Sequence, residues 1–206
     1  CLPLGDLTGT LLSLMLTNPL APDFVFEGKT PKGECSFDTR AVRQALGADI
    51  PLNEPEVAAW LCSRSRLPLY ADTVSSAKAE RFRPHLKRLR AVKSNALEAS
   101  VLTGEKDPES AAKKLAKLCP GRVFVTLGAD GILAAERDRF FHFPAYETEV
   151  INTTGAGDAA AAAIVWADLR GYDLQACAQL AQLAGSITCS STYANNPDLA
   201  TLPQLT

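Results

Sequence analysis

Asn152-Thr153-Thr154-Gly155-Ala156-Gly157-Asp158 is the stretch on which the reading of this chain turns. A strand-like segment, Tyr146 to Ile151, precedes it, and Ala159 to Ala163 follow its aspartate. Alanine is the best helix former, so a helix is predicted from Asp158 to Leu169, stopped by Gly171. The N-terminus of a helix presents unpaired N–H groups and a positive dipole end, which together attract anions. Gly155 and Gly157 allow the backbone to approach a phosphate closely, Ala156 is nearly as small, and successive N–H groups there can form a nest for oxygens. Thr154 flanks this nest, and Asp158 sits in the first turn, aimed at the same place. Phosphoryl transfer needs positioned phosphates, charge neutralisation and a carboxylate to take the acceptor's proton. The string supplies two of these parts. The plain alternative is a tight strand-to-helix turn with an N-capping aspartate; a bare G-x-G-D would not rise above it, whereas the full string after a strand does.

Outward from this loop, the chain alternates strand and helix from about Leu67. A short strand ends at Asp72, and Ser75 to Leu89 has helical content interrupted by Pro84. A brief strand over Arg90 to Lys93 leads into a helix over Asn95 to Leu102, stopped by Gly104. Asp107 is the expected N-cap of the next helix, with Pro108 at its first position, and Pro120-Gly121 ends it. Val123 to Leu127 is a continuous β-branched and aromatic run, hence a buried strand. Gly128 to Gly131 is turn chemistry, and a hairpin follows around Glu136 to Arg139. Tyr146 to Ile151 is read as a further strand. The last helix runs from Asp173 to about Ser190, with apolar residues at helical spacing. Strands alternating with helices predict an α/β fold, a mostly parallel sheet flanked by helices.

The 206 residues, 47% hydrophobic with a net charge of -2, suit one globular domain and exclude collagen-like, coiled-coil and disordered classes. A pI near 5.8 argues against a nucleic-acid partner bound by bulk charge. No run approaches the length of a membrane span, so no membrane partner is expected. The six cysteines form no C-x-x-C pair and are too sparse for a disulfide scaffold, which points to a reducing compartment, the cytoplasm. Cys177 and Cys189 read as small buried hydrophobes, Trp60 and Trp166 as core, and His85 and His142 as surface or structural residues.

The glycine string resembles the C-terminal signature of the ribokinase-like (pfkB) carbohydrate kinases, D-T-x-G-A-G-D. Lys93-Ser94-Asn95-Ala96-Leu97-Glu98 resembles the family's N-x-x-E motif, which usually follows Lys-Pro, and Val125 to Gly131 resembles its strand and nucleotide-binding turn. Asp72-Thr73-Val74-Ser75-Ser76-Ala77-Lys78 and Ala194-Asn195-Asn196-Pro197-Asp198-Leu199 are similar to segments of the members that phosphorylate pseudouridine. The resemblance covers about Asp49 to the end. It implies a three-layer ribokinase-like fold, apparently truncated at its N-terminus, with residues 1–46 as an N-terminal segment of unassigned structure and 47–206 as the nucleotide-binding and catalytic portion.

The same resemblance implies ATP and Mg2+ as cofactors and a small-molecule nucleoside or sugar as acceptor, with the 5'-hydroxyl of pseudouridine leading. Asp158 would be the general base, and Gly155, Ala156 and Gly157 the anion hole. Asn95 would lie near the ATP phosphates and Glu98 would order Mg2+ and its waters; positions i and i+3 share a helix face. Thr126, Gly128 and Gly131 would flank adenine and ribose, with Thr154, Gln182 and Asn196 also near the nucleotide. Asp72 and Lys78 read as scaffold or cleft-edge residues. Three departures stand out. Asn152 replaces the aspartate that opens the loop and helps hold a monovalent cation, which counts against potassium activation. Thr73 and Ser94 stand where two prolines are usual. Residues 1–46 show neither the Gly-Gly element nor the β-lid that carries sugar contacts and pairs subunits, which leaves both turnover and a homodimer open. A non-catalytic fragment that keeps the fold and binds nucleotide or a partner is the competing reading, and a kinase for another sugar is a further one. A Rossmann dehydrogenase does not fit, because its glycine fingerprint should follow the first strand of a βαβ unit.

Overall fold

The computed structural model describes residues 62–63, 67–194 and 196–204. The readings made for residues 1–46, Trp60 and Asn195 lie outside the described residues. The chain divides into two compact units, Cys1–Tyr70 and Ala71–Thr206. The second carries the strand and helix pattern and all the motifs singled out above.

The described strands are β1 (Tyr70–Asp72), β2 (Ala91–Asn95), β3 (Arg122–Thr126), β4 (Ile132–Glu136) and β5 (Arg139–Phe143), ordered β1-β2-β3-β4-β5 in one sheet. β2 and β3 run parallel, with Ala91 opposite Arg122 and Asn95 opposite Thr126. β4 and β5 are antiparallel because each joins its neighbour by a tight turn with no crossover, so the sheet is mixed. Between β1 and β2 the chain forms α1 (Ser76–Ala79) and then a 3-10 stretch, Glu80–Arg88, which contains Pro84. The β2–β3 crossover holds α2 (Ala96–Thr103) and α3 (Pro108–Leu118). Each begins and ends as its sequence dictates. Asp107 caps α3 by accepting from Ser110 N–H at 2.8 Å, with Pro108 next, and Gly104 ends α2 in the left-handed conformation.

α4 (Ala156–Leu169) and α5 (Leu174–Cys189) form a helical hairpin, and α5 lies on β4 and β5. α3 lies on β3 and β4. Val123, Phe124 and Val125, with Ile132 to Ala135, are all shut off from solvent, so both faces of the central strands are covered and the architecture has three layers.

Three local expectations change. Residues 146–151 form no strand: Tyr146, Val150 and Ile151 are exposed, and the Ile151 and Asn152 N–H groups donate to the Cys189 carbonyl. Pro144 removes a ladder donor just past β5, and among the described residues no neighbouring strand receives the run. The helix after the glycine loop starts at Ala156, two residues before Asp158, with Gly155 rather than Asp158 as N-cap. Trp166 is only partly buried near the end of α4, with the Tyr172 ring 5.8 Å away and the Arg170 guanidinium 4.1 Å from its ring centre.

Candidate active site

The sequence-predicted residues gather around the C-terminal ends of β2 and β3 and the first turns of α2 and α4. Asn95 closes β2 and caps α2. Its side-chain oxygen accepts from Glu98 N–H at 2.9 Å, and Glu98 Oε2 accepts from Asn95 N–H at 2.9 Å, a reciprocal capping box. Asn95 Nδ2 donates to Glu98 Oε1 at 2.8 Å, and Thr73 Oγ1 donates to Glu98 Oε2 at 2.6 Å. Glu98 is 3% exposed. A carboxylate has about four acceptor positions, so these three bonds leave one, on Oε1.

Thr126, opposite Asn95, donates from Oγ1 to the Ser94 carbonyl at 3.3 Å. Gly128 opens the short turn Gly128–Asp130, with open space where its side chain would be. Gly131 closes it at φ +98°, where an added Cβ would collide with the Phe143 carbonyl oxygen. Leu127 N–H donates to the Gly131 carbonyl at 2.8 Å, so the turn lies flat against the hairpin.

The glycine loop is tied at both ends. Asn152 uses both arms of its amide, accepting from Thr154 N–H at 2.9 Å and donating to the Thr192 carbonyl at 3.2 Å. Gly155 sits at φ +84° against the Ala194 carbonyl, a conformation and a closeness that only glycine tolerates. The next residues, Ala156, Gly157 and Asp158, are the first three of α4, and Asp158 is exposed. Its carboxylate lies in the first turn, at the positive end of the helix dipole.

Sequence reasoning missed the residue that joins these parts. The Lys93 side chain is 10% exposed, and its Nζ donates to Asp72 Oδ2 at 3.0 Å. A Cβ on Gly157 would lie 2.9 Å from that same Nζ. Lys93 on β2 therefore reaches beneath the first turn of α4. The available signal was a charge at the end of the brief strand read over Arg90 to Lys93, a strand the structure buries; a charge is rarely buried without a task or a partner. Thr73 was missed as well, because nothing local ties it to Glu98.

Two predicted residues lie on other elements. Gln182 lies on α5 one turn before Gly185, the residue that packs against the Ala156 carbonyl. Asn196 is 4% exposed and ties the turn before Pro197 to α5: it donates to the Ile187 carbonyl at 2.6 Å and accepts from Asp198 N–H at 3.0 Å.

Comparison with known proteins joins this geometry to a family. The family model for pfkB family carbohydrate kinases matches residues 43–201. The chain is 29% identical over 205 residues to the pseudouridine kinase of Escherichia coli K12, covering 97% of this chain and 64% of that protein. It is 32% identical over 97 residues to the ribokinase of Bacillus subtilis, covering 47% of this chain and 32% of the relative. Among solved structures, the adenosine kinase of Sinorhizobium meliloti superposes with a TM-score of 0.62 at 26% identity, over 73% of this chain and 48% of that one. The ribokinase of Thermotoga maritima shares the fold, with a TM-score of 0.62 at 22% identity over 72% and 53% of the two chains. The chain thus spans less than two thirds of the length of the relatives it matches. A match over most of the chain, on a fold that brings the same motifs together, shows that the chain belongs to the pfkB family of carbohydrate kinases.

Proposed function

We propose that this chain carries the nucleotide-binding and catalytic portion of an ATP-dependent kinase that phosphorylates a hydroxyl of a nucleoside or sugar, with the 5'-hydroxyl of pseudouridine the leading acceptor. The observation that carries the reading is the glycine loop at the start of α4, held open at Gly155 and Gly157 and followed at once by an exposed Asp158. The acceptor preference rests on the similarity to a pseudouridine kinase.

In this reading the loop from Gly155 to Gly157 offers its N–H groups to the transferring phosphoryl group, where preorganised donors stabilise the charge that develops, and Ala156 N–H exchanges its 3.3 Å bond to the Thr153 carbonyl for a phosphate oxygen. Asp158 accepts the proton of the acceptor hydroxyl as the new P–O bond forms and the bond to the leaving ADP oxygen breaks. The turn from Thr126 to Gly131 flanks the base and ribose. Mg2+, where bound, adds positive charge to the nucleotide phosphates. Glu98 fits it as an outer partner: a buried carboxylate with one free acceptor position suits one water of a hydrated hard cation.

The test is ATP-to-ADP turnover with Mg2+ and pseudouridine, uridine, ribose or adenosine, on this chain and on Asp158→Asn. We expect turnover with pseudouridine that drops ~10²–10⁴-fold in the variant, the usual cost of losing a positioned base. A folded chain that turns over none of the acceptors would instead be a nucleotide-binding fragment.

A further inference from the structure

Lys93 is an unusual residue to find shut inside a parallel strand. Its side chain is 10% exposed. A lysine ammonium has three donors, and within the protein one of them goes to Asp72 Oδ2 at 3.0 Å. The other two have no acceptor assigned among the described residues, although buried donors are normally matched. The ammonium lies against the one face of α4 that has no side chain, since a Cβ at Gly157 would sit 2.9 Å from Nζ. Gly157 is therefore glycine for two reasons. It lets a phosphate approach from outside the loop, and it lets a cation approach from beneath.

We propose that Lys93, held in place by Asp72, is the fixed cation of this site and donates its remaining N–H groups to the terminal phosphate of the nucleotide. The inference rests on the reading of the loop as a phosphate site and adds the residue that neutralises the charge there. Lys93 supplies charge and hydrogen bonds and takes no part in the proton transfer. The acceptor oxygen bonds to the terminal phosphorus, the bond from that phosphorus to the bridging oxygen breaks, and the hydroxyl proton goes to Asp158. Asp72 is a positioning residue: it fixes the ammonium and balances its charge when the site holds no anion.

The experiment is calorimetric binding of ADP and of a non-hydrolysable ATP analogue, each with Mg2+, to the wild-type chain, Lys93→Met and the double variant Asp72→Asn/Lys93→Met. The double variant removes both buried charges, so the comparison survives if Lys93→Met alone fails to fold. Charge-assisted hydrogen bonds are strong enough that we expect analogue binding to weaken roughly 10- to 100-fold in both variants, with ADP affected much less. In the wild-type chain the Lys93 Cε resonance should shift with the analogue and not with ADP. An unchanged analogue-to-ADP affinity ratio, or a Cε resonance blind to the analogue, overturns the role of Lys93 and leaves the nucleotide site standing. A wild-type chain that binds neither nucleotide overturns the phosphate-site reading and this inference with it.

Discussion

At the scale of single residues, three consecutive positions do more than their sequence suggests. Asp72 holds Lys93, Thr73 holds Glu98, and Val74 takes a positive φ of 60° to join β1 to the next helix. That conformation is strained for a β-branched residue, and such strain persists only where its surroundings enforce it. Asp72 helps, accepting from Val74 N–H at 3.1 Å. Thr73 occupies a position where proline is usual in the family it resembles, and its hydroxyl supplies a bond that proline cannot. Replacing Thr73 by Val removes a donor from a buried carboxylate, which costs about 1–3 kcal/mol. The expected result is a lower urea midpoint and weaker binding of nucleotide with Mg2+ than without it, both restored by Thr73→Ser. Equal loss with and without Mg2+ would mean that Thr73 serves the fold alone.

At the scale of elements, the far end of the sheet is fastened by charge. Asp168, near the end of α4, has a side chain 2% exposed. It accepts a two-pronged pair from Arg90, both bonds at 2.8 Å, and Arg122 lies 2.8 Å from the same carboxylate. Arg122 also donates to the Tyr172 carbonyl at 2.8 Å and reaches Glu136 at 3.3 Å. The cluster thus joins the starts of β2 and β3 to the α4–α5 turn. Removing one member of a buried set leaves the others uncompensated, so Asp168→Ala should cost on the order of 3–5 kcal/mol in urea unfolding while leaving Gly155 to Asp158 in place. A loss below about 1 kcal/mol would show that solvent takes over for the missing carboxylate.

What could be read in the sequence followed from how local its cause was. The caps at Asp107 and Gly104, the buried run at Val123 to Val125 and the glycine loop are set by neighbours a few positions away, and each was legible. Residues 146–151 were misread because β-branched composition records a preference for strand without showing whether a partner edge exists. The Lys93–Asp72 and Thr73–Glu98 contacts were invisible because they join separate elements. Asn152 shows both sides: its departure from the family's aspartate is plain in the sequence, but its two amide bonds across the loop are plain only in space.

At the scale of the whole molecule, the thiols report on how closed the core is. Cys119 and Cys177 are fully buried, and both are free. Burial pushes the Cys119 thiol above its usual range, and burial pushes Cys177 up to about 11. The thiolate is the reactive form, so both should resist alkylation at pH 8 in the native state. Site-resolved mass spectrometry should find their labelling rising with urea in step with the loss of helical circular dichroism. Rapid native labelling of either would contradict the packing of α3 or α5 described above.

The tie between Lys93 and Gly157 also has a consequence in time. β2 meets β3 after one helical crossover, β3 to β5 follow each other as hairpins, and α4 and α5 form a hairpin of their own. Pairings between such near neighbours close short loops and form early. The site is the opposite case: it exists only when the first turn of α4 lands on a strand laid down long before it, and Arg90 must find Asp168 across 78 positions. Under the proposed function, competence to bind nucleotide therefore waits on this late contact. On a ribosome, an emerging chain would hold most of its sheet and, in the proposed function, gain its hold on ATP only after the glycine loop and the helix behind it had left the exit tunnel.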